Sequence, residues 1–163
     1  MKGILIDPQK QIIQDVSFKY ENQMLGDMKK LIGCNYIERT SVSNKPQLDL
    51  WLDEEGRLKK NRLGKYFGII PKMDSLFPKE FLDKCRTSHA KWFSNKLKME
   101  FVNQYNSFVG PAIIVGRKMT ADGLALCNPD INVRDLEARV VWLPDFIDDP
   151  FFEYHSLAKG DTH

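Results

Sequence analysis

The close spacing of the first secondary-structure elements is the feature that most constrains the fold. Apolar patterning predicts strands at residues 3–6, 11–19, 36–42 and 48–52, with one helix between the second and third strands. Parallel neighbours need long crossover connections, and this arrangement is too compact to supply them. We therefore expect an α+β fold, with a mainly antiparallel sheet and an amphipathic helix packed on one face.

The helix is predicted over residues 21–32. Its apolar side chains recur at helical spacing and form one stripe, made of Met24, Leu25, Met28, Leu31 and Ile32. Gly33 follows directly, as a C-terminal cap does, and Lys29 and Lys30 occupy the last turn, where the helix dipole favours cations. In the first hairpin, Ile13, Val16 and Phe18 are the expected inward anchors.

The rest of the chain is expected to complete one domain spanning residues 1–163. Residues 57–72 are predicted to form an ordered loop or a short helix, and residues 78–106 a helical region of one helix or two. Further strands are predicted at 110–116, 124–126 and 140–143, with helical turns at 132–138. Residues 71–108 are thus predicted to be a helical insertion. Residues 145–163 are predicted to be an acidic tail, part of which packs against the rest of the domain.

Composition excludes several classes of protein. Apolar content of 42% and charged content of 28% are typical of a globular chain, and no apolar run approaches the roughly 20 residues of a membrane span. The short apolar run at residues 4–6 predicts a strand rather than a signal peptide. Three widely spaced cysteines, Cys34, Cys85 and Cys127, fit a reducing compartment. A soluble, cytoplasmic protein with no membrane partner is expected.

Positive charge is concentrated in the middle of the chain. Residues 57–98 hold twelve Lys or Arg and three acids, a net charge of +9, whereas residues 119–163 hold three Lys or Arg and nine acids, a net charge of −6. This asymmetry predicts either an anionic partner for the middle region or pairing between the two regions within the fold.

Several short segments together resemble a known family. They are the opening at residues 2–8, the helix ending at Ile32 and Gly33, the acidic turn at 53–58 followed by Asn61 and Arg62, and the glycine-led strand at 110–116. The pattern is similar to small phage and mobile-element proteins catalogued as a domain of unknown function, over residues 1–70 and 110–118. The resemblance implies a protein that acts inside a bacterial host cell, on host or defence components, and it supplies no catalytic residues.

Two basic segments are candidate ligand-binding sites. The first is a glycine-containing loop in which Lys and Arg supply charge and Gly64 lets backbone N–H groups approach an anion. The second is helical, with basic residues beside aromatic rings that can stack on bases. The candidate residues are Arg57, Lys59, Lys60, Asn61, Arg62, Lys65, Arg86, His89, Lys91 and Trp92. The alternatives are a solvated basic loop and an amphipathic helix whose aromatic residues belong to the core.

Neither a metal site nor a catalytic site is predicted. Cys85 and His89 could share one helix face, but a zinc site needs two more ligands, and none is indicated nearby. The acidic turn at 53–55 could supply acid–base chemistry, although such turns are usually solvated. No cofactor is expected.

We therefore expect a non-enzymatic protein that binds nucleic acid or a nucleotide-like ligand through its basic middle region. A protein–protein inhibitor of a host or defence factor is the first alternative, and an enzyme of unrecognised type is the second.

Overall fold

The described part of the chain is built mainly from antiparallel strands. The computed structural model describes residues 1–44, 46–56, 66–70 and 107–143, and every strand pairing among them is antiparallel. The strands are β1 (Lys2–Asp7), β2 (Ile12–Ser17), β3 (Ile37–Asn44), β4 (Gln47–Asp53), β5 (Tyr66–Ile69), β6 (Phe108–Val109), β7 (Ala112–Thr120), β8 (Gly123–Cys127) and β9 (Val140–Leu143). The helices are α1 (Met24–Ile32), preceded by a 3-10 turn at Glu21–Gln23, and α2 (Val133–Glu137).

Six strands form the larger sheet, and β7 is its centre. The order is β2-β1-β7-β4-β3, and β8 pairs with the second half of β7. Residues 112–116 of β7 are buried, as the continuous apolar run of a strand covered on both faces requires. The strand therefore inserts between β1 and β4, although it follows both of them in the chain.

Helix α1 covers one face of this sheet. Its buried residues Met24, Met28 and Ile32 lie at intervals of four and pack with Leu5, Phe18, Ile113 and Val115. Gly33 ends the helix in the left-handed conformation, with φ 78° and ψ 40°, and its N–H donates to the Lys29 carbonyl at 2.8 Å. That conformation carries no steric penalty in glycine, which explains why the helix stops there.

A second, three-stranded sheet covers the opposite face. Its order is β6-β5-β9. Alternate residues of a strand point to opposite faces, so the cluster of Ile4, Leu50 and Ile114 lies on the side away from α1. Phe67 of β5 and Leu136 of α2 complete that cluster. Helix α1 and the small sheet therefore enclose the larger sheet from its two sides.

The expected α+β class, with a mostly antiparallel sheet and few helices, is confirmed. The structure contains the predicted strands near residues 3–6, 11–19, 36–42, 48–52, 110–116, 124–126 and 140–143, and the predicted helical turns at 132–138. Phe18 is buried, as expected, and Ile13 and Val16 are half-buried. No helix among the described residues is long and apolar enough to cross a membrane.

Three details of the prediction were wrong. Leu25 and Leu31 are 48% and 44% exposed, because the contact with the sheet is narrower than the apolar stripe. Residues 66–69 form β5 instead of a loop or helix, because their backbone pairs with two distant strands, β6 and β9. Phe108, placed at the end of the helical insertion, lies in β6. Residues 71–106 of that insertion and the acidic tail lie outside the described residues.

Candidate functional site

The ten predicted ligand-binding residues all lie outside the part of the chain that the structure describes. They are Arg57, Lys59, Lys60, Asn61, Arg62, Lys65, Arg86, His89, Lys91 and Trp92. Their role in ligand binding therefore stays a prediction from the sequence.

The acidic turn after β4 is held by its own hydrogen bonds. One carboxylate oxygen of Asp53 accepts from the Glu55 N–H at 3.0 Å, and the Asp53 carbonyl accepts from the Gly56 N–H at 3.1 Å. Glu54 and Glu55 are exposed. Asp53 thus shapes the turn, which is the common role of an aspartate at such a position.

The larger sheet holds a different cluster of charged residues, centred on Asp49 of β4. Asp49 lies directly opposite Val115 of β7 and shares a sheet face with Trp51, and both of these neighbours belong to the α1 cluster. The aspartate is fully buried, at 0% exposure. A buried carboxylate loses its hydration, so its neighbours determine how it is stabilised.

Two arginines on neighbouring strands converge on one oxygen of this carboxylate. The Nε atom of Arg117, on β7, lies 3.6 Å from Asp49 Oδ2, and a terminal nitrogen of Arg39, on β3, lies 3.9 Å from the same oxygen. Their side chains are 17% and 46% exposed, respectively. The carboxylate therefore lies at the bottom of the cluster, with Arg117 partly covered and Arg39 reaching solvent.

The hydrogen bonding of this cluster is incomplete. Among the described residues, four buried side-chain atoms lie beyond hydrogen-bond distance of any partner, and all four are here: both oxygens of Asp49, Nε of Arg117 and Nε1 of Trp51. Asp49 Oδ2 and Arg117 Nε still attract each other as an ion pair at 3.6 Å. A buried polar atom without any partner costs about 1–3 kcal/mol, so such groups in folded proteins are nearly always satisfied. A concentration of unsatisfied groups at one place marks it as a candidate binding site.

The sequence pattern alone did not identify these residues. Leu48, Leu50 and Leu52 alternate with Asp49 and Trp51, and this period of two does not show whether one face of the strand or both are covered. Both faces of β4 are in fact covered. The available signal was Trp51 two residues after Asp49, because an aromatic ring on the same face as an acid indicates that this face also packs.

The described acidic residues of the C-terminal third lie at the surface, unlike the buried Asp49. Asp122, Asp130, Asp135 and Glu137 are exposed, and none of them forms an ion pair with another residue in the described ranges. These four side chains therefore remain accessible to water. In the same ranges, no group of three His, Cys, Asp or Glu side chains is arranged to hold a metal ion.

Comparison with known proteins gives one match. Residues 1–76 match the model of a family described as a domain of unknown function, DUF3846. No match was found among curated proteins or among solved structures. The resemblance to an uncharacterised family is confirmed over residues 1–76, and the family description names no activity.

Proposed function

We propose that this protein is a non-enzymatic binding protein of phage or mobile-element origin. It contacts an anionic partner, nucleic acid or a nucleotide-like molecule, through the basic residues of its middle region. The +9 charge of residues 57–98 supports the partner class, since Lys and Arg neutralise phosphates and release their counterions. The origin is suggested by the sequence segments in residues 1–70 and 110–118 that resemble small phage and mobile-element proteins.

The observation that carries the proposal is the size of this positive charge relative to its internal counterpart. The acidic C-terminal third, residues 119–163, is the internal candidate for neutralising the basic middle, and its net charge is −6. Even complete pairing of +9 with −6 would leave a net charge of +3 on the basic middle. An external anion is therefore the proposed partner for the remaining positive charge.

Nucleic-acid binding is tested by its dependence on salt. Fluorescence anisotropy with a labelled single-stranded oligonucleotide should give an affinity that falls steeply between 50 and 200 mM salt, because counterion release drives binding. The triple variant Lys59→Ala, Lys60→Ala, Arg62→Ala should weaken binding and flatten the salt slope. An affinity that is unchanged between the two salt concentrations would contradict the proposal.

A matched variant controls for net charge. Lys2, Lys10 and Lys30 are exposed lysines outside the middle region, and their replacement by alanine removes the same three charges. This control should reduce binding much less than the loop variant does. Equal losses would mean that only the total charge matters.

A nucleotide-like ligand is tested by thermal stability. A ligand that binds only the native state stabilises it by about 2.7 kcal/mol at one hundred times its Kd. We expect a rise in Tm with at least one member of a nucleotide panel, and the loop variant should lose that rise.

An exposed apolar pair favours inhibition of a host protein as the second candidate. Met119 and Leu124 lie opposite each other at the end of the β7–β8 hairpin and are 74% and 53% exposed. Large apolar side chains that are paired and exposed are typical of a contact with another protein. A host protein captured from bacterial lysate by the wild type, and lost with Met119→Asp and Leu124→Asp, would support this function.

A further inference from the structure

We infer that Arg39 and Arg117 form a second contact for the anionic partner, a site for a phosphate group, and that the buried Asp49 positions them. The inference rests on the proposed function, because it names a further site for the same class of partner. It concerns residues of the larger sheet, which the sequence pattern did not indicate.

The convergence of the two guanidinium groups is the first step. Arg39 and Arg117 come from strands on opposite sides of β4, and each directs one nitrogen at Asp49 Oδ2, at 3.9 and 3.6 Å. Two like charges would otherwise repel each other. The shared carboxylate therefore holds them together.

The balance of donors and charge gives the ligand class. One carboxylate between two guanidinium groups leaves a net charge of +1. An arginine carries five N–H donors, more than Asp49 can accept from either side chain. The Trp51 Nε1–H adds another donor, which is buried on the same face without a partner. An anion that accepts several hydrogen bonds complements these donors and this charge.

A phosphate fits better than a carboxylate. Its oxygens are arranged tetrahedrally, so one phosphate can meet N–H groups that approach from different strands. Arginine is the preferred residue for such contacts because its planar fork matches two oxygens at once. Access is from the side of Arg39, whose side chain is 46% exposed, while Asp49 remains beneath at 0%.

A purely structural ion-pair cluster is the competing explanation, and it predicts that Asp49→Asn leaves phosphate binding unchanged. If phosphate binds at the cluster but Asp49 acts only as a negative charge, the substitution raises the local charge from +1 to +2 and should tighten phosphate binding. If Asp49 positions the arginines, the same substitution lets them separate and should weaken binding.

The test measures binding of inorganic phosphate, a nucleoside monophosphate and a 5′-phosphorylated single-stranded oligonucleotide at constant ionic strength. For Asp49→Asn we expect about a tenfold loss of affinity for whichever of these the wild type binds. Unchanged or tighter binding would overturn the inference.

Lysine substitutions test the arginine fork. Arg39→Lys and Arg117→Lys keep the charge but lose the paired donors, and each should weaken binding about five- to tenfold. Arg134→Lys is the control, because Arg134 is exposed on α2 and lies outside the cluster. The affinity of this variant for the phosphate probes should equal that of the wild type. Arg39 is largely exposed, so Arg39→Lys keeps the test decisive if Asp49→Asn does not fold.

The outcomes separate this inference from the proposed function. If the loop variant loses binding while Asp49→Asn and both lysine variants bind like the wild type, only the second site is overturned. If Asp49→Asn and the lysine variants lose binding while the loop variant does not, the second site is supported. The proposed role of the basic middle region in binding is then contradicted. A wild type that binds none of the three probes overturns both.

Discussion

Gly26 and Gly33 both belong to the first helical segment, but their backbone requirements differ. Gly33 adopts φ 78°, a left-handed conformation that side chains other than glycine rarely occupy. Gly26 lies within α1, and a Cβ atom built there would meet nothing within 4 Å. The same substitution should therefore have opposite effects at the two positions.

Gly33→Ala should lower the free energy of unfolding by about 1 kcal/mol, because alanine is strained at positive φ. Gly26→Ala should raise it by about 0.5–1 kcal/mol, because glycine weakens a helix interior. Urea unfolding followed by circular dichroism would measure both. A stabilising Gly33→Ala would mean that the C-terminal turn of α1 relaxes without cost.

Asp49 shows where pattern-based inference stops at the level of a residue. Alternation in β4 separates its residues into two faces but does not say whether one face or both are covered. The second covering element, α1, comes from another part of the chain, so burial of Asp49 depends on tertiary packing. The convergence of Arg39 and Arg117 depends in addition on the sheet order, which alternation does not contain.

Helix α1 illustrates the same limit at the level of an element. Helical periodicity correctly placed the helix, its C-terminal glycine and its core positions Met24, Met28 and Ile32. It also included Leu25 and Leu31, which lie beside the contact and are largely exposed. An apolar stripe gives the direction of the buried face, whereas its width is determined by the surface beneath.

The division of the α1 stripe can be measured by truncation. Met28 is fully buried, so Met28→Ala should lower the free energy of unfolding by about 2–5 kcal/mol through lost contacts and a cavity. Leu25→Ala, at a 48% exposed position, should change it by about 0.5 kcal/mol or less. Urea unfolding would measure both variants. A comparable loss of unfolding free energy in Met28→Ala and Leu25→Ala would indicate that Leu25 is buried in solution.

Strand β5 could not be predicted because its support is not local. The segment Tyr66–Ile69 is short, contains Gly68 and follows a basic stretch that suggested a loop. Its burial comes from β6 and β9, which lie far along the chain. The apolar run at residues 140–143 identified β9 itself but not the strand with which it pairs.

The end of β5 is joined to the start of β9 by a reciprocal contact. The Ile70 N–H donates to the Arg139 carbonyl at 2.9 Å, and Arg139 Nε donates to the Ile70 carbonyl at 2.8 Å. Desolvation by burial lowers the pKa of Arg139 from its ordinary value. An arginine nevertheless stays protonated near neutral pH, so the bond is charge-assisted.

Arg139→Met should lower the free energy of unfolding by about 1.5–3 kcal/mol, the usual contribution of a hydrogen bond to a charged group. Because the lowered pKa of Arg139 still leaves the side chain charged near neutrality, the loss should be equal at pH 6 and pH 8. Exposed Arg134→Met is the matched control and should be nearly neutral. A loss that differed between the two pH values would point to another titrating group.

At the scale of the whole molecule, one apolar cluster joins the two sheets. Phe67 of the small sheet is fully buried in the same cluster as Ile4, Leu50 and Ile114 of the larger one. Its ring also lies 5.5 Å from that of Phe108, centroid to centroid. Neither sheet can bury its inner face without the other, so we expect them to unfold together.

Tryptophan fluorescence can test this cooperativity, because Trp51 lies in the larger sheet and Trp142 in the small one. The chain has three tryptophans, so a Trp92→Phe background leaves these two, and removing either gives a reporter for one sheet. The two denaturation curves should coincide. Phe67→Ala should lower the free energy of unfolding measured by each reporter by the same amount, about 3–5 kcal/mol. The reason is that both sheets bury their inner faces in one shared core. Different denaturation midpoints for the two reporters, or a change reported by Trp142 alone, would show that the small sheet unfolds independently. The two sheets would then belong to separate folding units, contrary to the single domain predicted for residues 1–163.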